Sequence, residues 1–121
     1  MNCKVIVSSG SGRGGAFSSQ GKLQIEENGF CLNYKIEGDS CSLSYDGKTL
    51  MQKRSGNVCI EMSFVKGEQT ECLIGEGGLS GSMPVFTNSL SVVSGKGGVK
   101  VKINYDCGGE RVDLILTAVR T

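Results

Sequence analysis

Apolar and polar residues alternate one for one through most of this chain, and that period of two leaves room for little besides β-structure. Phe30, Leu32, Tyr34 and Ile36 share one parity, against Cys31, Asn33, Lys35 and Glu37. Val58, Ile60, Met62 and Phe64 repeat the pattern against Cys59, Glu61 and Ser63. Val99, Val101, Ile103 and Tyr105 oppose Lys100, Lys102 and Asn104, and Val112, Leu114, Leu116 and Ala118 oppose Arg111, Asp113, Ile115 and Thr117. Side chains alternate across a strand, so each run has one face for a core and one for water. Glycine punctuates the runs: the chain has 19 Gly and a single proline, Pro84. Asn28-Gly29 and Asp46-Gly47 are two-residue hairpin signals. Weaker turn signals lie at Gly38-Asp39, Ser55-Gly56-Asn57, Lys66-Gly67-Glu68, Gly95-Lys96-Gly97-Gly98 and Cys107-Gly108-Gly109.

No window carries a helical stripe, and Ser8 to Gln20 is too rich in Gly and Ser to hold a helix. The expected fold is therefore all-β: a small antiparallel up-and-down barrel of about eight to ten strands, each of ordinary length. A sandwich is the alternative, since either arrangement hides the strand edges. The 121 residues form one domain, 1–121, with no linker or compositional break.

The 13 basic and 12 acidic residues are interspersed, for a net charge of +1. Nucleic acid is therefore not an expected partner, because holding a polyanion takes a concentrated positive face. No segment approaches the ~20 apolar residues that cross a bilayer, so no membrane partner is expected either. The start, Met1-Asn-Cys-Lys-Val-Ile-Val, reads as a strand and lacks the pattern of a secretory leader, which points to the cytoplasm. Cys3, Cys31, Cys41, Cys59, Cys72 and Cys107 fall singly, about one per strand. In a reducing compartment they read as free thiols that pack as small apolar residues.

The chain has no histidine, which removes the commonest general base and the usual triads. Zinc lacks both histidine and paired cysteines, and no cofactor is called for. Gly10-Ser-Gly12-Arg-Gly-Gly15 has the G-x-G-x-x-G spacing, yet a strand rather than a helix follows it, so no helix dipole would hold a pyrophosphate. Gly47-Lys48-Thr49 resembles the end of a phosphate loop, but Ser42 stands where the first glycine belongs. Glu26 and Glu27 are adjacent and point to opposite faces, while Glu61 and Asp113 fall on outer faces. Lys100 and Lys102, with Lys96 nearby, make a small basic stripe on one wet face.

Candidate ligand-binding residues are Arg54, Tyr34, Tyr45 and Tyr105. The tyrosines lie late in their runs with the parity of the apolar face, where a ring can be buried and its hydroxyl kept on water or a ligand. Arg54 ends a run before the Ser55-Gly56-Asn57 turn. If Leu50 faces the core, Gln52 and Arg54 point inward, and an inward guanidinium needs a carboxylate, backbone carbonyls or an anionic ligand. If Met51 faces the core instead, Arg54 is a solvated edge residue.

Arg54-Ser55-Gly56, Phe64-Val-Lys-Gly67-Glu68, Gly78-Leu79 leading to Thr87, and Tyr105 together resemble the YwiB-like family. These are small bacterial proteins of uncharacterised function with a lipocalin-like, calycin-type β-barrel. The likeness is clearest from Gly47 to Asp106, and Arg54 matches the arginine of the family's Arg-x-Gly pattern. Cys72 to Gly78 departs from it, lacking the tyrosine and threonine that members carry shortly before the glycine. The resemblance implies the barrel and no activity. The expected function is a non-enzymatic module that binds a small, partly apolar ligand in the barrel. The competing readings are a packed interaction domain acting through its outer face or an edge strand, and an enzyme using a carboxylate, tyrosine or thiol. Homo-oligomerisation stays open.

Overall fold

In a computed structural model, which describes residues 1–9 and 16–121, every strand pairs with its neighbours in sequence. Ten strands follow one another: β1 (Asn2–Ser9), β2 (Ala16–Ile25), β3 (Phe30–Ile36), β4 (Asp39–Tyr45), β5 (Leu50–Ser55), β6 (Val58–Phe64), β7 (Gln69–Glu76), β8 (Leu79–Gly95), β9 (Gly98–Cys107) and β10 (Glu110–Arg120). All pairs are antiparallel. β1 joins β10 from Cys3↔Arg120 to Ser9↔Leu114 and closes the sheet into a barrel. The expected up-and-down barrel is realised with ten strands, and the sandwich is excluded because there is one continuous sheet. The described residues include no helix, hence none long and apolar enough to cross a membrane. The Gly10–Gly15 motif lies outside the described residues.

The alternation read from sequence is the inside–outside pattern of the barrel. Leu32, Leu43, Leu50, Phe64, Val85, Val101, Leu116 and Ala118 are buried in one apolar cluster drawn from nearly every strand. The interior is thus filled by side chains, as is usual for a small barrel. In β6 the burial is graded: Met62 and Phe64 are buried, Val58 and Ile60 only half so, because the latter lie at the strand's open end.

The turns hold two corrections: the Asp46-Gly47 hairpin is centred one residue later, on Gly47 and Lys48, since the Asp46 amide donates to the Thr49 carbonyl at 3.3 Å. Asn28-Gly29 marks a real hairpin, but its centre is one residue earlier. Glu26 and Gly29 exchange backbone hydrogen bonds of 2.9 and 3.4 Å, which makes Glu27 and Asn28 the two central residues. Glycine is still required at position 29, since a Cβ there would stand 1.7 Å from the carbonyl oxygen of Tyr45. Two-residue turns with left-handed backbone occur at Glu37-Gly38, Gly77-Gly78 and Gly108-Gly109. All three lie at one end of the barrel, with the Gly56-Asn57 turn.

Candidate functional site

Strand register sets the site. Across the inner wall near the end bearing those turns, Tyr34 stands opposite Cys41, Cys41 opposite Arg54, Arg54 opposite Ile60 and Ile60 opposite Ile74. Leu50 is fully buried, so period two carries Gln52 and Arg54 inward, and the alternative with Met51 facing the core fails. Arg54 keeps a side-chain exposure of 22%, against 4% for its partner Asp39.

Asp39 is what permits a cation there. Arg54 Nε donates to Asp39 Oδ2 at 2.9 Å. The same carboxylate accepts the backbone N–H of Asn57 at 2.9 Å and that of Val58 at 3.3 Å. These donors, the Asn57 amide first and then the guanidinium, hold the Asp39 carboxyl below its ordinary range. The hydrogen bond that Arg54 donates to Asp39 in turn raises the guanidinium above its usual value. The carboxylate therefore fixes the guanidinium in place, and the turn following β5 fixes the carboxylate. At Gly56, a Cβ would lie 2.0 Å from Asp39 Oδ1. Among the described residues, Nε makes the guanidinium's one hydrogen bond, so the Nη nitrogens are left for solvent or a ligand.

Tyr34 is buried with its ring 6.2 Å from that of Phe17. Burial pushes its phenol up to about 12, with Cys41 adding to the rise and Arg54 opposing it. Around this polar row the barrel mouth is ringed by half-buried Val7, Phe17, Ile36, Ile60, Ile74 and Leu114. An open depression of about 650 Å3 runs from Arg54, Ile60 and Ile74 onto the outer wall, where exposed Lys53, Glu61 and Leu73 line it. A second, of about 600 Å3, lies on the outer wall among exposed Lys22, Asn33, Lys35 and Ser40 and touches Tyr34 and Cys41.

Of the residues singled out by sequence, Arg54 and Tyr34 thus share one inner row, with Cys41 between them. Tyr45 does not, because β4 runs away from Asp39 and ends at the opposite end of the barrel. There its hydroxyl donates to the carbonyl of Gly47 at 2.9 Å, and its ring lies 6.3 Å from that of Phe30. Tyr105 faces inward on β9, on the opposite wall, with its ring 5.0 Å from that of Phe64. It is half-buried and packs against the core, and burial raises its phenol. Asp39 is the residue missed by sequence reasoning. Its signal was available: it shares the inward parity of Cys41, Leu43 and Tyr45, where a carboxylate demands donors.

Other chemistry is sparse. All six cysteines are free thiols. Burial raises Cys3, Cys41, Cys72 and Cys107, which opposes the thiolate form. Among the described residues no cluster of His, Cys, Asp or Glu could hold a metal ion. Buried Thr87 Oγ1 has no hydrogen-bond partner among the described residues, and it lies beside the bulge that shifts the β8–β9 register between Thr87 and Ser89.

The fold and the mouth define a class: a closed ten-stranded antiparallel barrel, packed within and carrying one buried-acid-anchored arginine at its rim. A family model described as a domain of unknown function (DUF1934) matches residues 5–111, and the chain belongs to that family. The fold is shared with the crystal structure of the ywiB protein from Bacillus subtilis. The TM-score is 0.85 at 17% sequence identity, over 99% of this chain and 90% of that one. No curated protein matches the chain.

Proposed function

We propose that this barrel is a non-enzymatic module that binds a small, partly apolar anion at its mouth, with Arg54 as the anion's partner. The observation carrying this reading is the guanidinium that points inward among apolar side chains, clamped through Nε by Asp39 while its Nη nitrogens stay unpaired among the described residues. Orienting a guanidinium in advance lowers the entropy lost on pairing with a carboxylate, sulfonate or phosphate. The apolar ring supplies area for the rest of the ligand. The packed interior argues for a ligand at the mouth rather than in the barrel's centre. Free thiols, three of the six buried, favour a reducing compartment such as the cytoplasm.

The test uses two naphthalene probes, the anionic 1-anilinonaphthalene-8-sulfonate and the neutral N-phenyl-1-naphthylamine. The native protein is expected to bind the sulfonate saturably, and Arg54→Gln to bind it at least tenfold more weakly, with the neutral probe little changed. Arg54→Lys, which keeps the charge and loses the fork, is expected to fall between. A native protein that binds neither probe, or an Arg54→Gln variant that remains folded and binds the sulfonate as well as the native protein does, would overturn the reading.

A further inference from the structure

The outer wall separates charge in a way the sequence conceals. Register places Lys102 directly opposite Ile115, Lys100 opposite Val93 on one side and Thr117 on the other, and Lys4 opposite Val119. Ile6 pairs with Thr117 in the next row, and Lys22 pairs with Asn2 one strand further round. Lys96 extends from the turn between β8 and β9. The result is a checkerboard of ammonium groups and aliphatic side chains across β2, β1, β10, β9 and the far half of β8.

Among the described residues, the outward stations of this patch carry no counter-charge. The outward stations of β1 and β2, those of β8 from Ser89 on, those of β9 up to Lys102 and those of β10 from Ile115 on carry no Asp or Glu. The nearest acids on these strands are Asp113, which accepts from Asn104, and Asp106, which pairs with Arg111. Among the described residues, none of Lys4, Lys22, Lys96, Lys100 and Lys102 forms an ion pair. A chain of net charge +1 thus concentrates five lysines on one wall. Neighbouring strands are about 4.8 Å apart, so the patch is roughly 20 Å across; Lys100 and Lys102 along β9, and Lys4 and Lys22 as diagonal neighbours on β1 and β2, are each about 7–8 Å apart, which is within a Debye length of about 8 Å. Their fields add. Between them Val93 is 65% exposed, Val119 46%, Ile6 40% and Ile115 39%.

We propose that this wall docks on the surface of an anionic phospholipid bilayer. Its cations are lysines, compact charges on long apolar stems that can reach past the aliphatic residues to headgroups. Diffuse attraction to an anionic leaflet acts additively over such a cluster. Val93, Ile6, Ile115 and Val119 meet the headgroup–acyl boundary, where apolar burial adds to charge attraction. The stations carry no arginine for bidentate readout and no aromatic ring for base stacking, which disfavours a nucleic acid. The like charge of the patch disfavours a second copy of the chain. Nothing here requires the ligand at the mouth.

Flotation of the full chain with vesicles tests this. Vesicles of equimolar phosphatidylcholine and phosphatidylglycerol should carry the protein at low salt, and vesicles of phosphatidylcholine alone should not. The Lys100→Glu/Lys102→Glu variant should partition at least tenfold less. Val93→Ser/Ile115→Ser should also partition less, and Lys66→Glu, in the turn between β6 and β7, should behave as the native protein does. All variants are surface changes, and an unaltered thermal melt confirms their fold. Absence of binding to the anionic vesicles overturns the proposal. So does undiminished binding by either double variant, or tighter retention of the native protein on duplex DNA than on the vesicles.

Discussion

Phe64 and Phe86 are the same residue on opposite sides of one wall, and replacing each by alanine measures what the inner face is worth. Phe64 is 1% exposed, lies opposite Leu50 on the inner wall, and stacks with Tyr105 at 5.0 Å and an interplanar angle of 55°. Truncating a buried phenylalanine costs about 3–5 kcal/mol, including the cavity left behind, with about 0.5–1.5 kcal/mol of it from the aromatic pair. A domain of this size has a stability of about 5–15 kcal/mol. Phe64→Ala therefore removes a large fraction of the total and lowers Tm by on the order of 10–20 °C. Phe86 is 40% exposed on the outer face, and its truncation should cost no more than about 1 kcal/mol. Urea titration, read by circular dichroism with a common m-value, gives both numbers. If Phe86→Ala proved as damaging as Phe64→Ala, the inner and outer faces would be misassigned.

Three further outcomes follow from the site and the thiols. Asp39 has a lowered pKa in the folded state, so its stabilisation is present above the ordinary carboxylate range and lost as pH falls through the lowered value. Asp39→Asn should flatten that acid limb in an unfolding series across pH, and an unchanged limb would show that the pair carries no pH dependence. Gly56→Ala should push Asp39 out of place, through the 2.0 Å contact, and weaken sulfonate-probe binding while leaving Arg54 in the chain. Probe binding equal to that of the native protein would contradict it. Timed reaction with a thiol reagent should label exposed Cys59 first and half-buried Cys31 and Cys107 later. Cys3, Cys41 and Cys72 should react only on unfolding, with six labels in total. Prompt labelling of Cys41 in the native state would contradict its burial.

The fold was largely legible because strand periodicity is local: the parity of Phe30 to Ile36, or of Val99 to Tyr105, follows from neighbours alone. Turn positions were legible only to within a residue, since Gly29 is demanded by the approaching Tyr45 carbonyl, which belongs to another hairpin. Arg54 was found with two orientations open, and only the complete burial of Leu50 chose between them. Its partner was not found, because Asp39 lies fifteen residues away and meets it through the β4–β5 register. The tyrosines illustrate the limit most plainly. Tyr34, Tyr45 and Tyr105 share parity and place within their runs, yet chain direction alternates from strand to strand. Tyr45 is carried to the far end and Tyr105 to the far wall. The lysine wall was invisible for the same reason: Lys4, Lys22 and Lys100 are brought together by barrel closure between β1 and β10.

Isothermal titration of decanoate and of decanol into the native protein and into Arg54→Gln bears most directly on the central claim, that an arginine anchored by Asp39 makes the barrel mouth an acceptor for apolar anions. The two ligands share a chain and differ in the carboxylate. The native protein is expected to bind decanoate one to one and at least tenfold more tightly than decanol, and Arg54→Gln to abolish the difference. Equal affinity of the native protein for the two, or a preference for decanoate that survives in a folded Arg54→Gln, would contradict it.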